Sequence, residues 1–240
     1  MKKTFITGLL ICMSALCLQS CLWLWPYPGH GHYPGPGPTP DPGPTPGPTD
    51  DRIENVVPDD VRDKMEDYMP IYNGVNPPAI EGVYLVKPLK LVYDSYGIGT
   101  PPDEDFTGMF MHFYNQNTTN NTLSYEMMEA NELVESSNNV YISGSGNNFT
   151  VYFNSVGEAL DITVKQAIVI SGTKSDDGIK NLYYGNVVLS LSEPSQYLLP
   201  AGSYRIFKDG DGISENTSWP INVRGNGMQN SAWSKYISVQ

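Results

Sequence analysis

Cysteine is nearly absent from this chain. Its 240 residues contain three cysteines, Cys12, Cys17 and Cys21, and all three lie within the first 21 residues. Everything after Cys21 therefore lacks a thiol, which excludes a disulfide scaffold, a cysteine nucleophile and a cysteine-ligated zinc site. An oxidising compartment would leave such a domain chemically unchanged.

Positive charge and long apolar runs are also scarce. Lysine and arginine together number 14 against 26 acidic residues, so the formal net charge is −12. Phosphate backbones repel a protein of this charge, and we expect no nucleic-acid partner. After residue 21, no apolar run approaches the roughly 20 residues that a membrane-spanning helix needs.

The first 21 residues carry the most specific motif. Lys2 and Lys3 precede an apolar segment, residues 4–16, which is too short to cross a bilayer, and Leu18-Gln19-Ser20-Cys21 follows it. This order resembles a bacterial lipoprotein signal peptide with its lipobox. The resemblance implies that residues 1–20 are removed and that Cys21 is lipidated on its sulfur and its amine. An ordinary secretory signal or a short membrane anchor is the alternative.

Lipidation of Cys21 predicts both the location of the protein and its contact with a membrane. The chain would be a cell-envelope protein, anchored by lipid on Cys21 in the outer membrane. Whether it faces the periplasm or the cell surface stays open.

Residues 21–50 are predicted to form a linker. Between residues 26 and 49 the sequence has ten prolines and six glycines, a composition that cannot bury a core. Its upper reach is roughly 70 Å, at about 3.1 Å per residue. His30 and His32 lie in it, but they lack further ligands and a fixed geometry, so we predict no metal site there.

Residues 51–240 are predicted to form a single domain that begins with a helix. The helix is expected over residues 58–69, because Pro58 suits a first turn and acidic residues follow it. Apolar side chains at helical spacing would cover one face of the domain; they are Val57, Val61, Met65 and Tyr68. Pro70 would end the helix.

The remainder alternates apolar and polar residues in the manner of β-strands. Met109, Met111 and Phe113 share one face of residues 107–114, opposite Phe110, His112 and Tyr114. Similar alternation occurs at 149–154, 160–170, 187–191, 204–206 and 237–239, with turn residues between these segments. The pattern predicts a mainly β fold, an antiparallel up-and-down barrel of about eight to ten strands with one short N-terminal helix. A two-sheet β-sandwich is the alternative.

Candidate catalytic and metal-binding residues are few, and each has a simpler interpretation. His112 is the only histidine after the linker, and Ser145 is not in a nucleophile-elbow motif. The acidic stretches Asp103-Glu104-Asp105 and Asp209-Gly210-Asp211-Gly212 read better as a solvated loop and a tight hairpin turn than as calcium sites. We therefore predict a non-enzymatic protein with no catalytic residues, no metal and no cofactor.

Two further groups of residues bear on sugar chemistry. Glycoside hydrolysis needs two carboxylates that meet in space, and Glu126, Glu129, Glu132 and Glu135 are available, although a solvated strand face is their default interpretation. The chain also has 16 tyrosines spread over most of the predicted strands. Exposed tyrosines could form a platform for sugars, and ordinary cross-strand packing is the alternative.

One short motif connects the strands to a family. Gly82-Val83-Tyr84 at the start of the first strand resembles the Gly-x-Trp motif of lipocalins and other calycins, with Tyr84 in place of the tryptophan. The resemblance implies a calycin-like barrel in which a basic residue, here Arg205 or Arg224, packs on that ring. The order of lipobox, proline-rich spacer, helix and barrel resembles lipoproteins of Bacteroidetes.

These observations predict a non-catalytic binding module. In the first hypothesis the barrel holds a small apolar or amphipathic ligand in its interior. In the alternative the module binds glycans through exposed tyrosines. A glycoside hydrolase is the least favoured interpretation, and the sequence alone assigns no ligand-binding residues.

Overall fold

The computed structural model describes residues 51–97, 105–130 and 132–220. Within these ranges the chain is mainly antiparallel β-structure, as the alternation predicted. Two short helices precede the strands where one was expected, and the described residues form twelve strands where about eight to ten were expected. Several residues discussed above lie outside the described part, and nothing in the structure bears on them. They are Cys21 with the linker 21–50, Asp103, Glu104, Arg224 and the strand expected at 237–239.

The helices are α1 (Asp51–Glu54) and α2 (Asp59–Met65). The strands of the described residues are β1 (Val75–Asn76), β2 (Gly82–Val86), β3 (Leu89–Asp94), β4 (Asp105–Phe106), β5 (Met109–Asn117), β6 (Thr122–Glu129), β7 (Glu132–Ser145), β8 (Asn148–Ala159), β9 (Ile162–Ser175), β10 (Gly178–Leu191), β11 (Tyr204–Asp209) and β12 (Ile213–Thr217).

The strand pairings form a closed path. Sequential antiparallel ladders join β5, β6, β7, β8, β9 and β10, while β2 pairs with β5. Strand β12 pairs with β10 on one side and with β2 on the other. Among the described residues, the path β2-β5-β6-β7-β8-β9-β10-β12 therefore returns to its first strand.

Two pairs of short strands behave as two long, kinked strands. Strands β11 and β12 both run antiparallel to β10, and they pair with β3 and β2 respectively. The break between β2 and β3 lies opposite the break between β11 and β12. At this point the backbone N–H of Gly210 donates to the carbonyl of Pro88 at 2.7 Å. A Cβ at residue 210 would come within 2.8 Å of Pro88 Cγ, so glycine permits this approach. The predicted hairpin turn at Asp209–Gly212 is therefore wrong: the chain bends there and continues in the same direction.

Alternation sorts the apolar side chains into two clusters. The larger cluster is contributed by one face of the strands and includes Met111, Phe113, Phe153 and Phe207. The smaller cluster is formed by the opposite face of β8 to β11 together with the helical segment, and it includes Met65 and Val169. The larger cluster thus lies inside the ring of strands. The helices pack against part of the outer face of that ring.

The N-terminal helix is shorter than predicted. Val57, Val61 and Met65 are buried as expected, but α2 ends at Met65. The N–H of Tyr68 bonds to the Met65 carbonyl, a three-residue spacing that tightens the last turn. Tyr68 still contacts the domain, because its ring stacks on Tyr93 with a centroid separation of 3.7 Å.

Candidate functional site

Large aromatic side chains fill the interior cluster. Tyr125 occupies a central place, with its ring centroid 5.3 Å from that of Phe113 and 5.0 Å from that of Phe153. The fully buried aromatic residues of the described chain are Tyr84, Phe113, Tyr125, Phe149, Tyr152, Phe153 and Phe207, and all but Tyr152 belong to the interior cluster. Protein side chains therefore occupy the interior around Tyr125.

The interior also holds buried polar pairs. Arg205 Nε lies 2.8 Å from Asp94 Oδ2, and both side chains are buried. Asn186 Nδ2 donates to Gln166 Oε1 at 3.0 Å. Because a buried charge is costly unless it is paired, these contacts let the polar residues remain inside an apolar cluster.

Arg205 does not lie where the calycin resemblance placed it. Strand register sets Arg205 opposite Asp94, whereas Tyr84 lies opposite Asn216 towards the other end of the same two kinked strands. The cation over the Tyr84 ring is Lys174, whose Nζ is 5.9 Å from the ring centroid. The Tyr84 hydroxyl donates to the carbonyl of Ile80 at 3.0 Å.

The four candidate glutamates do not share one solvated face. Glu126 is half-buried on the outside and Glu132 is also half-buried, while Glu129 and Glu135 are buried. A bulge explains part of this difference, because a register shift in β7 buries the consecutive residues Val134 and Glu135 together. The alternation of apolar and polar residues does not reveal that shift, because the shift depends on the pairing of β7 with β6. The strands therefore separate Glu126 from the two buried carboxyls instead of facing them across a cleft.

Burial changes the protonation of Glu135. Its side chain is 5% exposed, and desolvation raises its pKa from 4.5 to about 7, an effect that a hydrogen bond from the Ser155 hydroxyl opposes. The carboxyl group is therefore largely protonated below neutral pH.

The outer surface carries a row of half-buried rings. His112 and Tyr114 alternate along β5 with the interior residues Met111 and Phe113, as the sequence predicted. The His112 and Tyr114 rings stack with centroids 4.6 Å apart and an interplanar angle of 23°. Trp219, which follows β12, places its ring 5.2 Å from that of His112. Strand β2 lies between β5 and β12, so the row depends on closure of the ring of strands.

A carboxylate lies beside this row. Glu126 on β6 is the register partner of His112, and its Oε2 lies 3.5 Å from His112 Nδ1. The Tyr114 hydroxyl donates to Glu126 Oε1 at 3.1 Å. Desolvation, followed by the negative charge of Glu126, raises the pKa of Tyr114, so the hydroxyl keeps its proton. We call His112, Tyr114, Glu126 and Trp219 the aromatic platform.

The platform has the chemistry of a carbohydrate contact. Aromatic rings offer broad apolar surface with polar atoms at their edges, which suits the apolar face of a sugar ring. The carboxylate accepts hydrogen bonds from hydroxyl groups. The histidine and carboxylate side chains are 28% and 29% exposed, so part of each lies at the surface, while His112 Nδ1 itself is buried.

The other tyrosines are divided between core and surface. Tyr84, Tyr125 and Tyr152 are fully buried, which is the packing role that the sequence left open. Tyr96 and Tyr197 are exposed, and no described aromatic ring contact involves either of them. The sequence did not identify Trp219 as a candidate, because the residues around it give no sign that it contacts His112 on β5.

A second concave feature lies at the turns joining β7 to β8 and β9 to β10. This cleft has a volume of about 470 Å³, and its lining residues are Asn147, Thr173, Lys174, Ser175, Asp176 and Lys180. Lys174 is already engaged, because its ammonium donates to the carbonyl of Ser175 and lies over the Tyr84 ring.

Asp209 and Asp211 form hydrogen bonds at the kink between β11 and β12. The Ser214 hydroxyl donates to Asp209 Oδ2 at 2.6 Å, and the Ile213 N–H donates to Asp211 Oδ1 at 3.1 Å. Desolvation raises the pKa of Asp209 to about 6. Across residues 51–97, 105–130 and 132–220, no three or more His, Cys, Asp or Glu side chains are grouped so that they could hold a metal ion.

No helix in the described part of the chain combines the length and apolar character required to cross a bilayer. Comparisons of the chain with protein-family models, curated proteins and solved structures found no match.

Proposed function

We propose that this protein is a non-catalytic glycan-binding module of the bacterial cell envelope and that sugars bind at the aromatic platform. The observation that carries the proposal is the stack of His112 on Tyr114 beside Trp219, with the Glu126 carboxylate hydrogen-bonded at its edge. This arrangement combines an apolar ring surface with a fixed acceptor for hydroxyl groups.

The packed interior favours this surface over an enclosed apolar ligand. A lipocalin-like binding site requires space inside the barrel. Here the Tyr125 ring contacts the rings of both Phe113 and Phe153 within the interior cluster. A ligand inside would have to displace these side chains, whereas a sugar at the platform displaces only water.

The fold proposed for the module is a calycin-like up-and-down barrel. The pairing of β12 with both β10 and β2 supports this architecture over a two-sheet sandwich, because open sheets leave unpaired edges. Gly82 and Tyr84 on β2 support the family resemblance, and the position of Arg205 departs from it.

Replacing Trp219 with alanine should weaken glycan binding. Removal of one ring from a stack costs about tenfold or more in affinity, which corresponds to roughly 1.4 kcal/mol. The measurement is a glycan array with the intact protein, followed by calorimetry with the oligosaccharide that binds most tightly.

Tyr197→Ala is the matched control, because Tyr197 is 60% exposed and lies outside the platform. It should leave the affinity unchanged. If Trp219→Ala binds as tightly as the unaltered protein, the platform is not the sugar site.

The envelope location is a separate part of the proposal and rests on the lipobox. Cys21→Ala should release the protein from the membrane fraction and abolish incorporation of a labelled fatty acid, while the circular dichroism spectrum stays that of a β-protein. Ser20→Ala keeps a small residue before the cleavage point and should stay membrane-bound. Continued membrane fractionation of Cys21→Ala would refute lipid anchoring.

A further inference from the structure

The part of the sequence that contains His112, Tyr114 and Glu126 is rich in acidic residues and poor in basic ones. Between Leu91 and Val164 the chain contains ten acidic residues and neither lysine nor arginine. This stretch contains β5 to β8, which are four of the eight strands on the closed path. Part of this acidity is compensated, because Asp94 pairs with Arg205 and Asp105 with Lys90. Glu129 and Glu135 are buried. The charge at the platform therefore has to be taken from its immediate strand neighbours.

Strand register shows which residues surround the platform on the outer face. One row crosses the surface through the platform and consists of Thr217, Val83, His112, Glu126 and Ser136. The neighbouring row consists of Glu215, Leu85, Phe110 and Met128. The two rows contribute two carboxylates and no lysine or arginine.

Among the residues that the structure describes, no lysine or arginine pairs with the Glu126 carboxylate. Its described contacts are the neutral Tyr114 hydroxyl and His112 Nδ1, which is 3.5 Å away and charged only when the imidazole is protonated. On the carboxyl-terminal side of the platform, Trp219 provides a ring face. Carboxylates and aromatic faces both attract ammonium groups, the first by charge and the second through the ring quadrupole.

We propose that the platform selects glycans that carry free amines, that is, glucosamine-type amino sugars with a protonated ammonium group. This inference rests on the proposed glycan-binding function and names its ligand class. The ammonium would lie beside Glu126, and the sugar ring would lie against the aromatic row. Sugars that carry carboxylates or sulfates would be repelled by the same surface.

Two probes of matched shape test the charge preference. Oligomers of glucosamine and of N-acetylglucosamine share a backbone, but only the first carries ammonium groups. At a pH at which most of these amines are protonated, we expect the intact protein to bind the glucosamine oligomer about fivefold more tightly or better, as for a partly exposed ion pair. Added salt should reduce this preference, because it screens exposed charges.

Glu126→Gln should bring the two affinities together. Glu158→Gln is the control, because it makes the same change in net charge on β8, two strands away from Glu126, and it should leave the preference intact. The folding of each variant is checked by its unfolding midpoint.

The outcomes separate this inference from the function on which it rests. Equal binding of the two oligomers, or a preference that survives Glu126→Gln, would overturn the amino-sugar assignment and leave glycan binding in place. If no oligosaccharide on a broad array binds, both the assignment and the proposed function fail.

Discussion

Phe113→Ala is expected to lower the free energy of unfolding by about 3–5 kcal/mol. Phe113 is completely buried, and its ring contacts those of Tyr84 and Tyr125 at centroid distances of 6.0 and 5.3 Å. Removing the ring therefore leaves a cavity in a close-packed interior. Chemical denaturation of the variant and the unaltered protein, analysed with the same m-value, measures the difference.

Phe110→Ala is the control for this prediction. Phe110 lies on the same strand three residues earlier, is half-buried and faces outwards. Its loss should cost about 1 kcal/mol or less. Similar losses for the two variants would contradict the assignment of Phe113 to a packed interior.

The second large effect concerns pH. Glu135 is almost completely buried, and its pKa in the folded protein is raised from 4.5 to about 7. Between these two values the folded state holds a proton that the unfolded state releases. The free energy of unfolding should therefore fall as the pH rises from about 4.5 to about 7, by about 3 kcal/mol in all from this residue.

Glu135→Gln should remove this part of the pH dependence. The amide does not ionise, so the variant should be more stable than the unaltered protein above pH 7 and should lose less stability between acid and neutral pH. Asp209 has a pKa raised to about 6. It should therefore give both proteins a smaller decrease of unfolding free energy with rising pH. Denaturation curves measured from about pH 4 to pH 8 provide the comparison.

Glu215→Gln supplies the reference variant, because Glu215 lies on β12 with an exposed side chain. It should reproduce the pH profile of the unaltered protein. If Glu135→Gln follows that profile as well, Glu135 is not the group whose ionisation destabilises the fold.

Alternation in the sequence predicted much of the strand structure, because one face of each strand packs against the interior. The sides assigned to Met111 and His112 on β5 follow from this rule alone, and the structure confirms them. The rule fails where the ladder is irregular. At Val134 and Glu135 the bulge buries two consecutive residues, so a carboxyl assigned to a solvated face lies inside.

The hairpin turn predicted between β11 and β12 was wrong for a related reason. Asp209, Gly210, Asp211 and Gly212 have the composition of a hairpin turn. Whether such a segment reverses the chain depends on the partner strand, and β10 accompanies the chain on both sides of the bend. Local sequence does not contain that information.

The platform illustrates the limit for functional residues. The sequence indicated that His112 and Tyr114 share a face, and Glu126 was considered only as a hydrolase carboxylate. Trp219 joins them because β2 connects β5 to β12. This long-range register is set by closure of the ring, and no spacing within a local segment reports it.

The most direct test of glycan binding at the outer surface is a chemical-shift titration of the intact, isotopically labelled protein with its tightest-binding oligosaccharide. We expect shifts for the Trp219 indole, His112, Tyr114 and Glu126, with the interior rings of Tyr125 and Phe153 unaffected. Shifts concentrated on the interior rings, with the platform signals unchanged, would contradict this expectation and place the ligand inside the ring of strands.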